Sequence, residues 1–552
     1  MRHFTGCRRS SQHATPRSRS REDDGWPRHG ADHPQMRLRR AFQHSPNDLS
    51  VTQGDISATS DRRMMRRRRI HGGRHLHATG ACDVIQRIHG ERADMPLEHV
   101  QPSTPLPIAE RRCAGQALRK LVPRSLHATW KPLADREDPV ARIIESNRHL
   151  ISHLLPIRYD RMQASPLTFL RGAAAIMATD LAATPASGIV VQSCGDCHLN
   201  NFGSFASPEG KPVFDVNDFD ETLPAPFEWD MKRLATSFVL AGRTQGMDAK
   251  ACRQLARAAV QAYRLNMLAL APLAPLVAWR TCVDVEQMIA SLPDDKLQER
   301  ERRRLAAITE AGRRGYPKLI EKRRGTWRIR ERPPLVFSLT ERGDDTHELA
   351  ARTAFESYKV TMPEERRLLL ERYRLVDVAF KVVGIGSVGT FCAIALLATP
   401  DDATLLLQIK EARASVLAPY AGASVYANEG ERVVVGQRIM QTTPDLFLGW
   451  TMDQGDDQRC YVRQFRDSRL AMIAVALSNA LLAHRATLCG ATLARAHARS
   501  GDAACIAGYM GSGGVFDAAI ADFAMAYAVQ AERDWRQFLD AIKAGRIEAR
   551  TP

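Results

Sequence analysis

The segment Gly195-Asp196-Cys197-His198-Leu199-Asn200-Asn201-Phe202-Gly203 follows a short apolar run, Gly188 to Gln192. Within about two dozen residues comes Phe214-Asp215-Val216-Asn217-Asp218-Phe219-Asp220-Glu221. Chemistry on a phosphate uses such a set. One carboxylate orients or deprotonates an acceptor hydroxyl, while an amide oxygen and a second carboxylate hold the magnesium that neutralises phosphate oxygens. Hard cations prefer these oxygen ligands. Asp196 is the expected base, and Asn201 with Asp218 the expected metal ligands. Asp215 and Asp220 compete with Asp218 for that role, and His198 is either a ligand or a group that hydrogen-bonds the loop from within.

The spacing Asp196-x-x-x-x-Asn201 resembles the catalytic loop of kinases, and Asp218-Phe219-Asp220 stands where those folds carry their metal-binding Asp. The run Glu228-Trp229-Asp230-Met231-Lys232-Arg233-Leu234-Ala235 resembles the next helix start in aminoglycoside and choline kinase-like enzymes. That resemblance implies a structural Asp230 that caps the helix and braces the catalytic loop. Cys194 stands where those enzymes carry the His of a His-Gly-Asp loop. Downstream, Val382-Val383-Gly384-Ile385-Gly386-Ser387-Val388-Gly389-Thr390 contains G-x-G-x-x-G. Strand-like residues flank it on both sides, which points to a hairpin lid over phosphates rather than a strand-to-helix dinucleotide turn. Lys410, in Leu407-Gln408-Ile409-Lys410, resembles the strand lysine that pairs with nucleotide phosphates. Glu429 and Glu431 are candidate carboxylate partners for it. The order is inverted, because the Asp-x-x-x-x-Asn segment precedes the glycine-rich one by about 190 residues. A circular permutation accounts for this, since domain termini often lie close together. An unpermuted reading would make Asp502 the base, but no Asn follows it five residues on.

Further stretches complete a family pattern: Pro156-Ile157-Arg158-Tyr159, Arg161-Met162, Ser165-Pro166, Phe169 to Ala174, Gly436-Gln437-Arg438, Leu448-Gly449-Trp450, Tyr461 to Gln464 and His497 to Asp502. Together with the two motifs they resemble an uncharacterised bacterial family known as domain of unknown function 2252, over roughly residues 110 to 545. That resemblance implies no established activity. Arg158, Arg161 and Arg171 either contact phosphate or brace the loop through buried pairs.

Periodicity supplies the elements that must position these residues. Apolar spacing predicts helices over Ala141 to Leu155 and Leu167 to Ala183, and Gly188 to Gln192 and Lys211 to Val216 read as strands. Phe227 to Ala241 reads as a helix, and residues 245–325 as mostly helical. Val376 to Leu397 is strand-like with three glycines inside it, and Thr404 to Ile409 is a strand. Glu431 to Gln441 fits either helix or strand, and Leu446 to Trp450 with Cys460 to Phe465 a strand pair. Leu470 to Ala498 and Phe516 to Ala541 close the chain as helices.

The expected fold is α+β, a two-lobed protein-kinase-like arrangement in permuted order. Residues 1–105 form a basic disordered tail, 106–330 the catalytic-loop part of a large, mostly helical lobe, 331–465 the small lobe, and 466–552 the returning large-lobe helices. Much of the +16 net charge lies in that tail, including Arg66 to Arg69, and such a stretch binds nucleic acid or anionic lipid non-specifically. Met64, Met65 and Met95 are alternative starts. Eleven scattered cysteines read as reduced thiols. Cys194-Gly195-Asp196-Cys197-His198 matches a haem attachment pattern, but that modification normally requires export, and no signal is visible. No apolar run reaches the ~20 residues of a spanning helix, so the cytoplasm is the expected place. The expected function is phosphoryl transfer from ATP with Mg2+ to an unidentified small-molecule or protein acceptor. Gly384, Gly386, Ser387, Gly389 and Lys410 would hold the nucleotide. A nucleotidylyltransferase or a non-catalytic, pseudokinase-like nucleotide binder are the alternatives.

Overall fold

The computed structural model describes residues 106–550 except 293, 314–315, 317, 339–345, 453–458 and 466–478. All of them fall in the compact unit Leu76–Pro552. The tail and the first part of the expected helix Leu470 to Ala498 lie outside the described residues.

Two short antiparallel pairs carry the acidic motifs. Strand β1 (Val190–Ser193) pairs with β4 (Leu223–Pro226), with Ser193 opposite Leu223. Strand β2 (Phe202–Ala206) pairs with β3 (Pro212–Val216), with Phe202 opposite Val216; β5 (Val283–Asp284) adds to β3. The end of β1 therefore meets the start of β4, and the loop before β2 meets the loop after β3. Both motifs are drawn to one place by register alone.

Around them packs a helical body. Helix α1 (Leu155–Gln163) and helix α2 (Pro166–Gly172) precede β1. Helix α3 (Phe227–Thr244) follows β4, and α4 (Ala249–Leu270) follows it. The stretch Leu167 to Ala183 is two helices, because the backbone breaks at Ala173 before Ala174–Ala182 resumes. Ala141 to Leu155 is likewise interrupted: the helix Pro139–Ser146 stops at Asn147, and α1 restarts at Leu155. Apolar periodicity carried through both breaks, so it concealed them.

The hairpin β6 (Ile320–Arg323) and β7 (Thr326–Ile329) precedes a six-stranded antiparallel sheet, ordered β12-β13-β11-β10-β9-β8. Its strands are β8 (Val336–Ser338), β9 (Arg374–Lys381), β10 (Cys392–Ala398), β11 (Thr404–Glu411), β12 (Gly449–Trp450) and β13 (Cys460–Gln464). Side chains alternate between two buried faces. Ala393, Ala395 and Leu397 pack toward Phe355 and Tyr358 of helix α5 (Thr346–Val360), while Ile394 and Leu396 pack with Ile320 and Ile329 of the hairpin. Burial on both sides is why the strands read as continuous apolar runs. Helix α6 (Glu429–Met440) settles the helix-or-strand ambiguity, capped by the Asn428 side chain. Helices α7 (Asn479–Ala498) and α8 (Val515–Lys543) return to the body.

Among the described residues no single helix is long and apolar enough to cross a membrane. The one pair that passes jointly, Ala503–Met510 with α8, is bent by 82°.

Candidate functional site

Residues 193–196 leave β1 in a tight loop shaped by Gly195, whose φ is +80°. A Cβ there would stand 2.2 Å from the Glu221 carbonyl oxygen, so only glycine lets the two acidic loops touch. The Asp230 carboxylate holds this loop, accepting N–H bonds from Cys194 at 2.7 Å and Gly195 at 3.1 Å. Asp230 was expected to cap its helix, but α3 begins at Phe227 after Pro226, so Asp230 lies inside it. It braces the loop sideways instead, with His497 Nε2 at 3.1 Å as its third partner.

Asp196 points away from that brace. Arg233, three residues past Asp230, donates through Nε (2.7 Å) and Nη2 to Asp196 Oδ1. Oδ2 is left 3.6 Å from His198 Nε2, beyond a hydrogen bond. Burial, opposed by Arg233 and assisted by the Asp218 charge, pushes the Asp196 carboxyl up to about 6. Burial also drives the His198 imidazole well below its ordinary range, helped by Arg171 and Arg233, so it is neutral within the loop. Asn201 donates its amide N–H to the Asp196 carbonyl at 2.7 Å. Its amide oxygen makes no hydrogen bond among the described residues.

The second loop lies against the first. Asn217 N–H donates to Asn201 O at 2.9 Å, and the Cys194 thiol reaches the Asp218 carbonyl at 3.4 Å. Asp218 Oδ1 is a buried oxygen with no hydrogen bond among the described residues. Asp215, one competitor for the metal role, is bound to Arg495 and accepts the Thr442 N–H at 3.3 Å. Asp220, the other, is clamped by the Lys410 amine, the Tyr461 hydroxyl at 2.7 Å and the Ser387 hydroxyl at 3.2 Å.

Lys410 arrives from the sheet. It sits opposite Tyr461 across β11 and β13, on the same face as the pair Gln408 and Arg463. Its amine contacts Asp220 and stands 3.8 Å from Asp218 Oδ1. Burial alone would lower this amine, and Asp218 and Asp220 more than reverse it, so it stays protonated. The expected partners do not serve. Glu429 pairs with Arg432, three residues on in α6, and Lys410 takes its carboxylate from the acidic loop instead. Arg432 in turn donates to the backbone carbonyls of Thr222, Asp220 and Arg413, which fixes that loop from behind.

The glycine-rich turn joins β9 to β10. Arg158 of α1 donates through Nη1 to the carbonyls of Ile385 (2.8 Å), Gly386 (2.8 Å) and Val388 (3.3 Å), and Arg161 to that of Val383. These two arginines brace the loop. In a trans peptide the N–H opposes the carbonyl, so the N–H groups of Gly386 and Gly389 turn away from Arg158. Among the described residues a Cβ at Gly384 would meet nothing within 4 Å, and one at Gly386 only the Arg171 carbonyl at 3.8 Å. Packing among the described residues does not require glycine at either position.

Asp502 caps the helix Ala503–Met510 and pairs with Arg111 at 2.9 Å. That engagement accounts for its carboxylate. Arg233, Tyr461, Arg432 and His497 were not singled out as functional from sequence, although Arg233 lies one helical turn past Asp230 and Tyr461 one strand from Lys410.

Residues 148–541 match a family described as an uncharacterized protein conserved in bacteria, DUF2252. The chain belongs to this family. No curated protein and no solved structure matches it. The DUF2252 region spans both acidic loops, the glycine-rich turn, Lys410 and His497. Arg111 and its partner helix cap lie partly before it.

Proposed function

We propose that this DUF2252 protein is an ATP- and Mg2+-dependent phosphotransferase with a kinase-like, permuted two-lobed arrangement. One observation carries the reading. Lys410, from a β-sheet, stands 3.8 Å from Asp218, 192 positions earlier, in the loop that touches Asp196 and Asn201. A lysine, a pair of oxygen ligands and a partly exposed carboxylate at one point are the parts of phosphoryl transfer.

The residues fit the cofactors. Asp218 Oδ1 is a buried oxygen without a hydrogen bond, and the Asn201 amide oxygen is likewise unengaged among the described residues. No cluster of three or more His, Cys, Asp and Glu side chains suited to a metal occurs among the described residues. Magnesium needs no such cage, because it keeps waters and takes one or two carboxylates plus substrate phosphates. Bound there, it would neutralise phosphate charge. Gly384 and Gly386 offer a turn without side chains, with N–H groups for phosphate oxygens, and Lys410 supplies a fixed positive charge. Asp196, oriented through one oxygen by Arg233, presents the other to an acceptor hydroxyl.

The test uses ATP labelled in either the α- or the γ-phosphate, with Mg2+ and a panel of small-molecule and protein acceptors. Transfer of γ-label that is lost in Asp196→Asn supports the assignment. Transfer of α-label instead identifies nucleotidylyl transfer. Absence of any Mg·ATP binding by calorimetry ends the reading.

A further inference from the structure

Arg158, Arg161, Arg171 and Arg233 lie beside the glycine-rich turn and the acidic loops, and their engagements differ. Arg158 and Arg161 are spent on backbone carbonyls, and Arg233 shares its Nη2 between the Asp196 carboxylate and Leu170 O, the latter at 2.9 Å. Arg158 Nη2 donates to Gly172 O at 3.2 Å. The backbone of residues 170–172 is therefore pinned between the Asp196–Arg233 pair and the turn at Gly386. Arg171 lies in the middle of it. Its Nε is buried without a hydrogen-bond partner. Among the described residues its guanidinium makes no hydrogen bond and no ion pair.

Arg171 is half-buried, with its Nε enclosed, and a guanidinium held this way without a hydrogen bond or ion pair among the described residues is open to an incoming anion. Burial lowers the Arg171 pKa, while Asp196 and then Asp218 act to hold its charge without touching it. A cation set among the base, the metal carboxylate and the glycine turn, but bound to none of them, suits an anion placed between them. The planar fork of Arg matches a phosphate's oxygens two at a time.

We propose that Arg171 is a catalytic residue that binds the terminal phosphoryl group of the nucleotide, an inference that rests on the phosphotransferase reading. In the transfer the acceptor oxygen forms its bond to the terminal phosphorus and its proton passes to Asp196. The bond from that phosphorus to the β,γ-bridging oxygen breaks, and the electron pair leaves with ADP. Arg171 meets the charge on the moving group, which both carboxylates would otherwise repel.

The experiment compares wild type, Arg171→Lys and Arg171→Met by calorimetry with Mg·ATP and Mg·ADP, by transfer rate, and by thermal unfolding without ligand. The expected result is an ATP-over-ADP preference that falls by about 10- to 100-fold in Arg171→Met, with ADP affinity unchanged. The rate falls by about 10²–10³-fold, and Arg171→Lys recovers part of both. Ligand-free Arg171→Met melts close to wild type, since the half-buried guanidinium makes no hydrogen bond or ion pair among the described residues to lose. A lowered melting temperature with an unchanged ATP/ADP ratio makes Arg171 structural and overturns the inference. If the wild type binds neither nucleotide, the parent reading has failed on its own. Inorganic phosphate then decides for Arg171: binding lost in Arg171→Met supports the anion site, and no binding by the wild type overturns it.

Discussion

The Lys410 amine is bound to the Asp220 carboxylate, and the two residues are 190 positions apart. In the proposed arrangement Asp220 fills the place of the helix glutamate that usually anchors such a lysine, and it shares a loop with Asp218. Lysine anchor and metal carboxylate are thus one rigid unit. Lys410→Met removes the amine bound to Asp220 and leaves that carboxylate beside Asp218 with the hydroxyls of Tyr461 and Ser387 and the charge of Arg463 to offset it. Breaking a buried pair costs roughly 3 kcal/mol at the low end of its range, apt here because Asp220 is 30% exposed. Chemical denaturation should show that loss, and calorimetry should show Mg·ATP binding abolished. Lys410→Met/Asp220→Asn should recover much of the stability and none of the binding.

Asp196 sets a pH dependence whose sign follows from burial. Its carboxyl is pushed up to about 6, and that of Glu221 to about 7, by burial first in each case. Between their ordinary values and these, the folded state holds protons that the unfolded state has released, so the contribution of these two carboxyls to stability falls as pH rises from about 4 to 7, while the lowered imidazoles of His127 and His198 contribute in the opposite sense. Denaturation midpoints of ligand-free wild type and Asp196→Asn across that window test this: the variant should lose the Asp196 part of the decline and keep the histidine part. Activity runs the other way, because a base must be ionised. The acid limb of kcat/KM should lie at or below about 6, with Mg2+ on Asp218 removing one of the charges that raises it. Asp196→Asn should cut transfer by about 10²–10⁴-fold and leave Mg·ATP affinity unchanged.

The acidic loops, the glycine-rich turn and Lys410 were legible because each is a local pattern: residue types at short fixed spacing after a strand. Their meeting was legible only by analogy with kinases, since the pairing of Ser193 with Leu223 and of Lys410 with Tyr461 is set by register across distant strands. What sequence missed has a common cause. Glu429 stood in the expected place for the lysine's partner, yet Arg432 lies one turn along the same helix and claims it. Asp230 looked like a cap because it is acidic near a helix start, but α3 begins three residues earlier, at Phe227. Which arginine braces and which is unpaired could not be read from Arg158, Arg161 and Arg171, because their targets are backbone carbonyls contributed from elsewhere in the chain.

Asp230 joins the first acidic loop to the core through two loop N–H groups and His497. Asp230→Asn retains one acceptor oxygen and adds a donor, so at least one of the N–H groups of Cys194 and Gly195 is left unsatisfied. A buried donor without a partner costs about 1–3 kcal/mol. Asp230→Asn should lower the melting temperature and the transfer rate together, while Mg·ADP affinity changes little because the glycine-rich turn is braced separately by Arg158. A rate loss with no loss of stability would contradict a bracing role.

Gly384 and Gly389 separate a ligand's demands from the fold's. Gly389 has φ +96°, and a Cβ there would lie 2.9 Å from Leu150 Cβ. Gly389→Ala should therefore destabilise the protein by about 1–3 kcal/mol whatever it binds. Gly384 has φ −63° and ψ 169°, a conformation alanine adopts freely, with nothing within 4 Å of the new methyl. Gly384→Ala should leave the ligand-free protein as stable as wild type, or more stable by about 0.4–1 kcal/mol through the unfolded chain's lost entropy. If this turn closes over phosphates, the same methyl blocks the backbone's approach and weakens Mg·ATP binding by about tenfold or more. Equal affinity in Gly384→Ala and wild type would place the phosphates somewhere other than the turn.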